Sequence, residues 1–198
     1  MKKVLCWVFA GMLCVSLLGC NGKDIPVAAA DGTVWDESWT TVGGVLGVET
    51  PGHGLTLREN NTALAGDDMF YATWSIGDAV PYTNEEGDEA TLYDAELHLL
   101  LAGSRSGEKA QENAQTWMDM AKDRYHVTET STETYNGQEF TVLIYTYSAD
   151  TNPYAKGVCA IGVYGNYAIN AELSCQSTYE GDASQVLADF LGCCHYGI

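Results

Sequence analysis

Cysteine thiols can act as nucleophiles, metal ligands or disulfide partners, and this 198-residue sequence holds seven of them in two groups. Cys6, Cys14 and Cys20 fall near the start; Cys159, Cys175, Cys193 and Cys194 fall near the end. Cys20 closes the run Ser16-Leu17-Leu18-Gly19-Cys20. Before that run stand Met1-Lys2-Lys3 and an almost wholly apolar stretch beginning at Val4. A positive start followed by an apolar segment of this length is the layout of a signal peptide. It is shorter than the roughly 20 apolar residues that a membrane-spanning helix needs.

The stretch Leu17-Leu18-Gly19-Cys20 resembles the lipobox of bacterial lipoproteins. In that pattern the cysteine is lipidated and becomes the new N-terminus, its thiolate accepting a diacylglycerol group. The resemblance implies that residues 1–19 are a lipoprotein signal peptide and that Cys20 carries the lipid, palmitate among its acyl chains. Residues 20–34 lack helical or strand periodicity and read as a tether, which leaves residues 35–198 as one domain. A multiply acylated cysteine is a stable anchor where a single chain is marginal. The expected place is therefore the bacterial cell envelope, held to a membrane on its extracytoplasmic side.

Cys6 and Cys14 leave with the signal. The remaining four, Cys159, Cys175, Cys193 and Cys194, allow two disulfides in three pairings. The pairing that contains Cys193–Cys194 needs a strained ring of adjacent residues. The other two both tie the second hairpin described below to the end of the last helix; a reducing host would leave all four as thiols. Cys193-Cys194-His195 invites a metal, but exported thiols favour bridges.

Other chemistry is thinner. Ser106-Gly107-Glu108-Lys109 matches a Ser-x-x-Lys helix start, yet no Ser-Asp-Asn or Lys-Thr-Gly follows, so Ser106 reads as an N-cap. Glu85, Glu86, Asp88 and Glu89 could gather Ca²⁺ oxygen ligands, but without EF-hand spacing they read as a solvated loop. The four histidines are scattered, and His98 reads as a residue of a solvated strand face. Trp35 with Trp39, or Tyr145 with Tyr147, could stack sugars, although core packing is the commoner fate of such rings. No cofactor and no catalytic group is expected.

Nine basic side chains stand against 27 acidic ones. The signal peptide takes two lysines with it, which leaves a formal charge near −20. Phosphate backbones and anionic lipid headgroups would be repelled, so nucleic acid is not an expected partner.

Several elements must carry these residues. Met69–Ile76 is rich in strand formers and bounded by turn residues. Thr91–Leu101 alternates as a half-buried strand, with Tyr93, Ala95, Leu97, Leu99 and Leu101 on one face and Asp94, Glu96 and His98 on the other. From Gly107 to Tyr125 the apolar spacing becomes helical. Two strands flank Asn136-Gly137, the strongest hairpin signal in the chain, and a second hairpin turns at Gly165-Asn166. A last helix spans about Ala183–Leu191, capped by Asp182 or Ser184.

The fold class is therefore α+β: an antiparallel sheet of about six to seven strands with two main helices packed on it. In element order it resembles the PsbP-like sandwich, a group that includes photosystem extrinsic proteins and small bacterial lipoproteins. The resemblance covers about Met69 to Tyr196 and supplies no site residues. The function expected is that of a membrane-anchored, non-catalytic binding or interaction module, with a protein or glycan partner. Two other classes stay open: a surface hydrolase whose site assembles from residues distant in sequence, and a structural accessory subunit of an envelope complex.

Overall fold

The computed structural model describes residues 32, 34–36, 38–49, 51–62, 69–84, 87–147 and 152–197, with residues 61 and 62 as backbone only. The signal peptide, Cys20, nearly all of the tether, Glu85 and Glu86 lie outside the described residues. In chain order the elements are β1 (Thr40–Val42), β2 (Leu46–Val48), β3 (Thr56–Thr62), β4 (Met69–Ile76), β5 (Val80–Thr83), β6 (Glu89–Leu92) and β7 (Ala95–Gly103). They continue with α1 (Gly107–Arg124), β8 (Tyr125–Tyr135), β9 (Gln138–Tyr147), β10 (Lys156–Tyr164), β11 (Tyr167–Cys175), α2 (Ala183–Gly192) and β12 (Cys194–Tyr196). Seven strands form one antiparallel sheet in the order β3-β4-β7-β11-β10-β9-β8. β1, β2 and β12 form a small second sheet, and β5 pairs with β6 as a separate hairpin.

Turn chemistry sets the registers. Asn136 and Gly137 both have positive φ, 45° and 78°, as a two-residue type I′ turn requires, and Tyr135 pairs with Gln138. Gly165 has φ 55° at the first turn position, and Tyr164 pairs with Tyr167. Each register then puts odd and even residues on opposite faces of the sheet.

The two helices take opposite faces. Val186, Leu187, Phe190 and Leu191 of α2 pack with Leu97, Leu99, Val142, Phe140, Ile169 and Leu173, and Trp74 meets Phe190 edge-on at 4.9 Å. The small sheet joins this core through Val42, Leu46 and Val48. Ala114 and Ala121 of α1 pack on Leu143, Ile161 and Ala168 of the other face. Ser106 caps α1, its Oγ accepting from the Lys109 amide at 3.3 Å, and Asp182 caps α2 through the amides of Ser184 and Gln185. Among the described residues no helix is long and apolar enough to cross a membrane.

The pattern reading of Thr91–Leu101 as one strand is corrected. The chain breaks at Tyr93-Asp94 between β6 and β7. Gly77 permits the break: its φ is +90°, and a Cβ there would stand 2.4 Å from the Asp94 carboxylate. Of the acidic run before it, Asp88 lies between β5 and β6, where it exchanges hydrogen bonds with Asn84.

Candidate functional site

α1 covers only part of its face of the sheet, and the remainder is polar. The register assembles it row by row. In one row Thr73, His98, Glu172, Cys159 and Leu143 lie side by side on β4, β7, β11, β10 and β9. In the next row stand Ser75, Glu96, Ser174, Gly157 and Tyr145. Tyr145 is almost fully buried and leans over Gly157; a Cβ there would come within 2.5 Å of the tyrosine hydroxyl and 2.8 Å of the Leu173 carbonyl. The bare backbone of Gly157 is what lets the ring lie down on the sheet.

These side chains form two hydrogen-bonded groups. Tyr125 and Tyr145 stack at 4.0 Å and both donate to Oε1 of Glu172, at 2.8 and 2.5 Å. Tyr147 meets both rings edge-on, and its hydroxyl lies 2.6 Å from Ser174 Oγ. In the second group Tyr154 donates to Oε2 of Glu96 at 3.0 Å. His98 Nε2 lies 3.5 Å from that same oxygen, and its Nδ1 lies 3.1 Å from the Tyr71 hydroxyl. Tyr154 reaches over the sheet from the segment before β10, where its amide bonds to Asn152 Oδ1 and Ala155 rejoins the Cys175 carbonyl. The side chains of Glu96 and His98 are 22% and 31% exposed, so the floor is open to solvent between buried walls.

Electrostatics fix the protonation of the phenols. Burial, then the charges of Glu59 and Glu96, push the Tyr71 hydroxyl up to about 12. Burial and Glu172 push Tyr147 up to about 12 as well, and they raise Tyr125 and Tyr145 further. Burial followed by Glu96 raises Tyr154. Burial alone would lower the basicity of His98, but Glu96, Glu172 and Glu59 outweigh it and the net shift is upward. Burial acts to raise Glu96, and its bonds to His98 and Tyr154 outweigh that, so it is held below the usual carboxylate range. The phenols therefore serve as protonated donors, and Cys159, raised by burial and by Glu172, stays a thiol. Activation of a nucleophile needs the opposite shift. The floor is an anionic, donor-rich surface.

His98 does not sit on a plain solvated face; it joins the hydrogen-bonded floor. Cys159, Cys175, Cys193 and Cys194, for which two long pairings are expected, are free thiols in the structure. Both pairings need Cys159, which packs on the α1 face, whereas Cys175 and Cys194 belong to the core under α2. Lys109 pairs with Glu112 at 2.6 Å, and Ser106 serves as the cap. Of the Ca²⁺ candidates, Asp88 and Glu89 are exposed on the β5–β6 hairpin, and Glu85 and Glu86 lie outside the described residues. Trp35 is buried and stacks on Trp39 at 6.4 Å as packing. Among the described residues no group of three His, Cys, Asp or Glu could hold a metal ion.

The pattern reading missed Glu172 and Ser174 altogether. Their signal is present in Asn170, Glu172 and Ser174, which alternate with Ile169, Ala171 and Leu173 on a strand flanked by apolar strands. A polar file on a central strand is costly to bury unless it is hydrogen-bonded, and so it marks a network.

No family model matches the chain, and no curated protein matches it. Among the solved structures similar to it are these two. One is the solution structure of cyanobacterial PsbP from Synechocystis sp. PCC 6803, at 10% identity and a TM-score of 0.38, over 75% of this chain and 97% of that one. The other is a crystal structure from Bacteroides thetaiotaomicron VPI-5482, at 9% identity and a TM-score of 0.36, over 80% of this chain. This chain spans 47% of that second protein.

Proposed function

We propose that this protein is a lipid-anchored lipoprotein of the bacterial cell envelope, with an extracytoplasmic PsbP-like α+β sandwich domain that binds a ligand without transforming it. The binding surface is the floor formed by Tyr71, Glu96, His98, Tyr147, Tyr154 and Glu172. One observation carries the binding role: half-open carboxylates are set among tyrosines that remain protonated donors. Such a surface holds a ligand and offers no activated nucleophile to attack it. The anchor rests on Leu17-Leu18-Gly19-Cys20 behind a basic, apolar start. The lipid would keep the floor at the membrane surface, and the acidic surface would hold the domain off anionic headgroups.

The anchor is tested by fractionating cells that express the full chain and its Cys20→Ala variant after feeding labelled palmitate. The wild type should sediment with membranes and carry label, and the variant should do neither. Label or membrane retention in Cys20→Ala removes the anchor from this reading.

A further inference from the structure

The hydrogen bonds of the floor are distributed unevenly over its two carboxylates. On Glu172 both phenols end on Oε1. On Glu96 both Tyr154 and His98 meet Oε2. Among the described residues Glu172 Oε2 and Glu96 Oε1 receive no donor, although each ionised oxygen can accept two. Neither carboxylate has a lysine or arginine within ion-pair distance among the described residues. The cations beside them are His98, directly opposite Glu172 in the register and 3.5 Å from Glu96, and Arg124, which hydrogen-bonds the Tyr125 hydroxyl that Glu172 holds. Each carboxylate keeps an oxygen open.

We propose that the floor binds a primary ammonium group on a small molecule, which donates to Glu96 Oε1 and Glu172 Oε2 from between the two strands. This rests on reading the floor as the binding surface. The charge deficit calls for a cation, and the geometry selects its type. A guanidinium pairs best as a fork with both oxygens of one carboxylate; here one oxygen of each is already occupied. A quaternary ammonium has no donor to give. A primary ammonium is compact and has three donors, so it can give one to each carboxylate. The Tyr147 and Tyr71 rings beside the floor supply aromatic surface for the cation and its carbon chain.

His98 makes this binding proton-linked. It is faced by Glu96 on its own strand, Glu172 on β11, Tyr71 on β4 and Glu59 on β3. Protonated, it supplies the positive charge that the ligand would bring; neutral, it leaves the deficit open. Binding therefore strengthens as pH rises through the titration of His98, whose basicity those carboxylates raise above its ordinary value.

The test is calorimetric titration of the detergent-solubilised full chain with n-butylammonium, n-butanol and tetramethylammonium. The expected result is millimolar-range binding of n-butylammonium alone, weaker at about pH 5.5 than at about pH 8. Glu96→Gln and Glu172→Gln should each weaken it at least about tenfold, the scale of one charge-assisted bond. Wild-type protein alone settles the matter if a variant fails to fold: absence of n-butylammonium binding, equal binding of tetramethylammonium, or no dependence on pH overturns the proposal. Binding that survives both glutamine variants overturns it too. If n-butylammonium fails while Glu96→Gln still changes what copurifies with the protein, the ammonium class falls and the binding floor stands. If neither moves, both fall.

Discussion

Tyr125 and Tyr145 stack face to face at 4.0 Å and donate to the same oxygen of Glu172. One acceptor atom thus ties the start of β8 and the end of β9 to β11, three and two strands away across the sheet. Either phenol can hold Glu172 when the other is gone. Tyr145→Phe and Tyr125→Phe should each cost about 1–2 kcal/mol, in the range of a hydrogen bond to a charged group. The double variant should cost more than the sum of the two, because it leaves that oxygen without a buried donor. Urea unfolding of the three variants measures this, and strict additivity would show that the shared acceptor does not couple the rings.

Gly157 is the position where backbone and ring approach most closely on the floor. An added methyl would stand between the Tyr145 hydroxyl and the Leu173 carbonyl, and the carbonyl cannot yield without moving β11. Gly157→Ala should lower stability by about 1–3 kcal/mol, as overpacking does, and should move the tyrosine signals in the near-ultraviolet circular dichroism spectrum. An unchanged spectrum with unchanged stability would mean that Tyr145 is not held over this residue.

The Glu96–His98 pair gives a pH window. His98 has its basicity raised, so its stabilisation is fully present below its unfolded value of about 6.5 and is lost as pH rises through the higher folded value. Glu96 is held low, so its stabilisation is present above its unfolded value of about 4.5 and is lost as pH falls through the lower folded value. Between roughly pH 4.5 and 6.5 both contributions stand. The stability difference between wild type and His98→Gln should be largest there and shrink toward pH 8. Denaturation curves at about pH 5.5 and pH 8 measure it; a difference that stays constant or grows with pH contradicts the assignment.

Protein lacking residues 1–20 keeps four cysteines. All four are thiols in the structure, and three are buried. Burial raises Cys159 and Cys194 strongly and Cys175 to about 11, which suppresses the thiolate. Unreduced protein should therefore titrate four thiols with Ellman's reagent in denaturant. In the native state Cys193, at the end of α2, should react first. Fewer than four in denaturant would mean that bridges form which this packing does not provide.

Legibility in the sequence followed locality. The hairpins at Asn136-Gly137 and Gly165-Asn166, the α1 stripe and the Asp182 cap are written in neighbouring residues, and all are present in the fold. The three-residue strands β1, β2 and β12 were not legible. Three residues carry no period, and although β1 and β2 pair with each other, β12 finds its partner far away in the chain, Cys194 pairing with Val48. The break at Tyr93-Asp94 was hidden because alternation runs straight through it; the conformation of Gly77 decides it. For the floor, alternation placed Glu96 and His98 on one face correctly, but a face that looks solvated by pattern can be walled by tyrosines from other strands. That requires knowing that β11 lies between β7 and β10, an order no local signal contains.

The central claim is that the Tyr, Glu and His floor is where this protein binds. Native mass spectrometry of the full chain, extracted from its own membranes in mild detergent, addresses it directly. Wild-type protein should release a bound small molecule. Protein carrying Glu96→Gln with Glu172→Gln should release none, and a Val80→Ser change on the separate β5–β6 hairpin should leave the bound molecule in place. The same molecule at the same occupancy in wild type and in the double floor variant would contradict the account.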